Sequence, residues 1–127
     1  MPPAFRPLSP HLQIYRLTLT MAMSIVHRIT GAGLYLGAIL LAWWLVAAAA
    51  GEGSLALFQA VAGSWFGQLV LFGFTWALFH HMLGGIRHFV WDFGRGFSHE
   101  GREGLAWFTL IGGLVLTALV WIFFVWL

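Results

Sequence analysis

The chain has 127 residues, of which 61% are hydrophobic and only 8% charged. Soluble domains carry about a quarter charged residues, and a fold this small has too little interior to hide so much apolar surface, so the bilayer must act as solvent for most of it. The formal charge of +2 comes from arginine alone, too weak for a nucleic-acid partner, and the absence of cysteine excludes disulfides, zinc thiolates and cysteine-ligated iron–sulfur clusters.

The chain opens with a polar segment, residues 1–20, that holds all four prolines: Pro2, Pro3, Pro7 and Pro10. Proline lacks an N–H, so this stretch is expected to be extended at the surface rather than helical. It lacks the charge-then-apolar order of a signal peptide and does not read as a transit peptide. An apolar run from Ser24 to Ala50 follows, with no charge after Arg28. It predicts a spanning helix over about 21–50. Gly51–Gly63 is a short connection with one acidic residue, Glu52, and no basic one. The second run predicts a helix over about 64–92. Phe93–Gly104 connects onward and carries Arg95 and Arg102. The third run, 105–127, reaches the last residue.

Each run supplies the ~20 residues that a spanning helix needs. None contains proline, and none alternates as a spanning strand would. The expected fold is all-α and integral to the membrane: one anchor domain over 1–127 with three transmembrane helices. Arg6, Arg16 and Arg28 precede or open the first helix, and Arg95 and Arg102 follow the second. Basic residues mark the cytoplasmic side. The N-terminus is therefore expected in the cytoplasm and the C-terminus on the opposite side. Gly33-x-x-x-Gly37 and Gly63-x-x-x-Gly67 suggest close helix approach.

Polar groups are costly inside a membrane and usually have a purpose. The first such cluster is Ser24-Ile25-Val26-His27-Arg28-Ile29-Thr30-Gly31. Ser24, His27, Arg28 and Gly31 share one helical face. The bland reading has Arg28 reaching for the headgroups and Ser24 capping the helix. The sharper reading is a pocket at the membrane surface for an apolar ligand with carbonyl or hydroxyl groups, such as a quinone.

The second cluster runs from His80 through Asp92. His81, Gly84, Gly85, His88 and Asp92 fall on one face. His81 lies twelve residues from Phe93, ~18 Å along the axis and close to the middle of the ~30 Å core. A histidine at that depth is placed to bind haem iron. Glycines one turn away would let a flat macrocycle near the backbone, and Arg87 and His88 would meet its propionates. The competing reading is a set of packing histidines bonded to backbone carbonyls. With no second deep histidine in the other helices, a six-coordinate iron would need a ligand from another subunit.

Three segments together resemble one family. Arg6-Pro7-Leu8-Ser9-Pro10-His11-Leu12-Gln13-Ile14-Tyr15, the Ser24–Gly31 cluster, and His81-x-x-x-Gly85-Ile86-Arg87-His88-x-x-Trp91-Asp92 resemble, in order, motifs of the cytochrome b large membrane-anchor subunit of succinate dehydrogenase, respiratory complex II. The resemblance covers nearly the whole chain and is closest to the mitochondrial and alphaproteobacterial branch. It implies His81 as the haem b axial ligand, with His80 as an extra neighbour. It puts His27, Arg28, Arg87 and His88 near the haem propionates or the quinone pocket. Ser24 and Arg28 match ubiquinone-contacting positions, and Asp92 a polar position close by. One departure is Gly84, where mitochondrial relatives tend to carry Asn.

The resemblance further implies one haem b shared with a small membrane-anchor subunit, and ubiquinone as substrate. It implies an iron–sulfur subunit and a flavoprotein subunit as partners in the tricarboxylic acid cycle and respiratory chain. Succinate oxidation would occur on the flavoprotein, since this chain offers neither a dinucleotide fingerprint nor cysteines for clusters. A bacterial inner membrane is the expected location, ahead of the mitochondrial inner membrane. Two other classes compete. A di-haem carrier of the cytochrome b561 kind would need several deep histidines in helical pairs. A haem-free anchor or channel subunit would need none.

Overall fold

The computed structural model describes residues 7–126. The expectations for Pro2, Pro3, Arg6 and Leu127 therefore lie outside the described residues.

Residues 7–18 are not helical and are exposed. A turn at Pro10 is closed by the Gln13 N–H, which donates to the Pro10 carbonyl at 2.7 Å. The first helix, α1, is Leu19–Ala50. Thr18 starts it: its hydroxyl accepts from the Met21 N–H at 3.4 Å, supplying a partner that the first turn lacks. The bland reading in which Ser24 caps the helix is therefore excluded. Ser24 sits inside α1, more than a turn past the start. The 32 residues of α1 span ~48 Å.

The first connection departs from the expected short link. Gly51, with φ of 106°, ends α1, and a second helix, α2, follows over Glu52–Gly63. Twelve residues make a marginal helix in isolation. This one is held from outside. Leu55, Phe58 and Ala62, at i, i+3 and i+7, form its partly covered face. Phe58 meets Trp43 of α1 edge-on, with centroids 4.9 Å apart.

Ser64 then reverses the chain. Its hydroxyl donates to the Val61 carbonyl at 2.6 Å and accepts from the Gly67 N–H at 3.1 Å. A Cβ at Gly67 would lie 2.7 Å from the Ala62 carbonyl oxygen. Gly67 thus serves this tight reversal, and Gly63 and Gly67 belong to different helices rather than to one packing motif.

Helix α3 is Trp65–Asp92. Gly94 and Gly96, both with positive φ, lead into α4, His99–Val120. The apolar run predicted a start near Leu105, but α4 begins earlier. Ser98 caps it by accepting from the Gly101 N–H at 3.0 Å, and Glu100 complements the positive end of the helix dipole. The first turn is polar, so hydropathy alone missed it. A π-helical stretch, Trp121–Trp126, continues α4.

The three long helices run antiparallel in sequence order. Gly31 faces His81 and Gly37 faces Phe74 across α1 and α3. Gly112 faces Leu83 and Gly113 faces His80 across α3 and α4. At the far end, Phe72 meets Trp121 edge-on at 5.3 Å. Helix α3 is central and packs on both α1 and α4.

The fully buried residues include Thr30, His80, Arg87, Thr109 and Thr117, whereas most large apolar side chains face outward. Among the described residues there are three helices long and apolar enough to cross a membrane. The fold is an all-α transmembrane one, with lipid in place of water around it.

The α1–α3 approach depends on Gly37, because a Cβ there would enter the Phe74 ring. Gly37→Ala should cost about 1–3 kcal/mol through overpacking, read as a lower thermal midpoint of the purified complex. Gly53→Ala, with open space around it, should lower the midpoint little or not at all.

Candidate functional site

The two polar segments found in the sequence meet where the first part of α1 crosses the last part of α3. His27 of α1 stacks on His81 of α3, with ring centroids 3.9 Å apart and planes within 5°. His88, two turns along α3, lies 5.3 Å from His27 at a tilt of 53°. The three histidines form one cluster.

Glycines make this approach possible. A Cβ at Gly84 would run into the His27 ring, and one at Gly31 would come within 2.9 Å of His81 Cε1. Each helix therefore offers a glycine to the other helix's histidine. Gly84 was expected to admit a macrocycle, but His27 fills that space. Gly85 is the open member of the pair: a Cβ there would meet nothing within 4 Å.

The hydrogen bonds define the state of His81. Its Nδ1 lies 3.0 Å from the His27 backbone carbonyl and 3.4 Å from Thr30 Oγ1. A carbonyl only accepts, so the proton belongs on Nδ1. Nε2 is then the nitrogen with the free lone pair. That arrangement is typical of a histidine prepared to bind a metal, with tautomer and ring angle fixed from behind.

His80 points elsewhere. It is fully buried (0% exposed), beside Trp76 at 5.3 Å and against Gly113 of α4. Neither ring nitrogen has a partner in the protein. Arg87, two turns on, shares this inner face at 1% exposure. Its guanidinium carbon sits 5.1 Å from the centre of the Trp91 ring, within cation–π range. Its Nε and Nη1 lack acceptors, and His27 Nδ1 and Trp91 Nε1 are also without hydrogen-bond partners. Buried polar atoms without partners are costly, so this end of the bundle has unused capacity to bind an anionic or polar group.

Ser24 is half-buried, while Arg28 and Asp92 are exposed. No hydrogen bond among the described residues joins these three to the histidine cluster. The structure thus brings His27, His81 and His88 together, with Arg87 close along α3, and leaves Ser24, Arg28 and Asp92 as a separate set near the same end. Among the described residues, no three His, Asp or Glu side chains converge on a metal-sized site. An open apolar groove of about 400 Å³ runs along α1 and α3 beyond the cluster, lined by Gly33, Gly37, Val70, Gly73 and Ala77. Sequence reasoning assigned no separate role to Thr30, Gly31 or Trp91. The roles of Thr30 and Gly31 arise from contacts between α1 and α3, which spacing along one helix does not reveal, whereas Trp91 meets Arg87 one turn back on α3 itself.

Known proteins place the chain. Residues 3–122 match the family described as succinate dehydrogenase/fumarate reductase transmembrane subunit. The succinate dehydrogenase cytochrome b556 subunit of Paracoccus denitrificans is 44% identical over 119 residues, covering 94% of this chain and 92% of that protein. The subunit of the same name from Rickettsia felis is 36% identical over 117 residues, covering 92% and 91%. The mitochondrial cytochrome b560 subunit of Sus scrofa is 41% identical over 95 residues, covering 73% of this chain and 56% of that one. With its three spanning helices and this match along almost its whole length, the chain belongs to the succinate dehydrogenase/fumarate reductase transmembrane subunits, as a succinate dehydrogenase cytochrome b subunit.

Proposed function

We propose that this chain holds haem b through His81, helps form the site where ubiquinone is reduced, and anchors the iron–sulfur and flavoprotein subunits to the membrane. One observation carries the haem assignment: His81 donates from Nδ1 to the His27 carbonyl at 3.0 Å, which leaves Nε2 available as a ligand. The open flank at Gly85 and the unpaired nitrogens of Arg87 support it further. Haem b, when bound, supplies a one-electron redox couple.

The protein's own residues do the rest. His81 would hold the haem iron through Nε2, and a small membrane-anchor subunit would supply a further ligand. His27, Arg28, Arg87 and His88 provide positive or donating groups for the haem carboxylates. Arg28 donates to a quinone oxygen and Ser24 adds a second hydrogen bond, with Asp92 nearby as a polar neighbour. Electrons reach the quinone from the iron–sulfur subunit, and succinate is oxidised on the flavoprotein. The chain is thus a subunit of the enzyme and does not oxidise succinate alone.

We place it in a bacterial inner membrane with the N-terminus cytoplasmic and the C-terminus periplasmic. Arg16 and Arg28 stand at one end of α1, Arg95 and Arg102 share that end after α3, and α2 carries no basic residue. A topology reporter fused to Leu127 should signal from the periplasmic side. A cytoplasmic signal would reverse the orientation.

The iron ligand is tested by two neighbouring substitutions. His81→Leu should abolish or strongly alter the low-spin b-type spectrum of the purified complex. His80→Leu should leave it intact, since His80 faces α4. The opposite pattern would move the ligand by one residue, and an unchanged spectrum in both would remove the haem from α3.

The quinone site is tested at Arg28. Arg28→Leu should lower quinone reduction on the order of 100-fold, from about 2–4 kcal/mol of lost charged hydrogen bonding. Succinate oxidation with a soluble dye acceptor should stay near normal. Normal quinone turnover in the variant would make Arg28 a headgroup contact only.

A further inference from the structure

Thr30 is buried in the α1–α3 contact at 2% exposure. Its hydroxyl lies 2.9 Å from the Val26 carbonyl and 3.0 Å from the His27 carbonyl. It also lies 3.4 Å from His81 Nδ1 on the opposite helix. The other buried threonines differ in that last respect. Thr109 donates to the Leu105 carbonyl at 2.9 Å and Thr117 to the Gly113 carbonyl at 2.7 Å. Each bonds to the carbonyl four residues back, the usual outlet for a threonine inside a helix. Neither forms a hydrogen bond with a ring nitrogen.

A hydroxyl has one proton and two lone pairs. If Thr30 follows the habit of Thr109 and Thr117, its proton goes to Val26, four residues back. Its lone pairs then face the Nδ1–H of His81. That hydrogen therefore has two acceptors, the His27 carbonyl at 3.0 Å and the Thr30 hydroxyl at 3.4 Å. Two acceptors hold the ring against rotation better than one. They also draw the Nδ1 proton outward, which raises the donor strength of Nε2. A stronger nitrogen donor favours the ferric over the ferrous state of an iron bound to it.

We propose that Thr30 is a positioning residue that, through its hydroxyl beside His81 Nδ1, fixes the ring of the iron ligand and lowers the reduction potential of the haem. This rests on the assignment of His81 as that ligand. The effect belongs to the hydroxyl, so it separates from packing by substitution. Thr30→Val keeps the branched shape and removes the acceptor. Thr30→Ser keeps the acceptor. Thr109→Val removes an equally buried hydroxyl with the same kind of back-bond but no contact with His81.

The experiment is an optical redox titration of the b-type band in the purified complex. Thr30→Val should retain the low-spin spectrum and shift the ferric–ferrous equilibrium toward ferrous by up to about tenfold, an upward change of up to ~59 mV for one electron. Thr30→Ser and Thr109→Val should titrate like the unaltered complex. Should Thr30→Val assemble without haem, Thr30→Ala, which removes the same hydroxyl with less bulk, takes its place in the same comparison. An unchanged or lowered potential without the hydroxyl would overturn the proposal. So would an equal rise in Thr30→Ser or Thr109→Val, which would trace the change to packing. Failure of the underlying assignment is read separately: His81→Leu would then keep its low-spin haem, whatever the Thr30 variants do.

Discussion

The crossing of α1 and α3 rests on a reciprocal fit, in which each helix gives up a side chain where the other places an imidazole. Gly84 makes room for His27, and Gly31 makes room for His81. The two rings stack, and the His27 backbone then comes within 3.0 Å of His81 Nδ1. The tautomer of His81, the burial of Thr30 and the position of His88 all depend on this spacing. In lipid no apolar driving force pulls helices together, so close backbone approach and shared hydrogen bonds must do so.

This explains why the interior looks inverted relative to a soluble protein. Its fully buried side chains include threonines, a histidine and an arginine, while many leucines, phenylalanines and tryptophans lie outside, Leu83 and Trp121 being buried exceptions. The threonines return their hydroxyls to their own helix and so cost little. His80 and Arg87 do not: they hold unpaired nitrogens on the inner face of α3. That strip is the electrostatically demanding part of the bundle, with His80 against Gly113 of α4 and Arg87 over the Trp91 ring.

Much of this was legible in the sequence. The three spanning helices follow from apolar runs of the right length, and the first two ended within a residue or so of the expected places. The histidine motifs on α1 and α3 were visible because their spacing repeats the helical turn. What spacing cannot give is which flank of α3 meets which neighbour. It grouped Gly84 with Gly85, although one is filled by His27 and the other is open. It missed α2, whose helicity comes from Phe58 packing on Trp43 rather than from a long periodic pattern. It placed the start of α4 too late, because that start is a polar cap. Thr30 stayed unremarked because its neighbour, His81, is 51 residues away in sequence.

The length of α1 has a consequence for where chemistry meets water. Its 32 residues reach ~48 Å, against ~30 Å of hydrocarbon. With the helix centred and upright, ~9 Å extends past the hydrocarbon at each end, about six residues. The inner boundary then passes close to Ser24, with Arg28 one turn beneath it and His81, level with Gly31, ~9 Å deep, shallower than the mid-membrane depth that its spacing from Phe93 predicts. A head group held beside Ser24 and Arg28 would sit at the edge of the aqueous phase while an attached hydrocarbon tail stayed in lipid. For the quinone site proposed beside these residues, protons would come directly from interfacial water and would need no conducting path through the bundle.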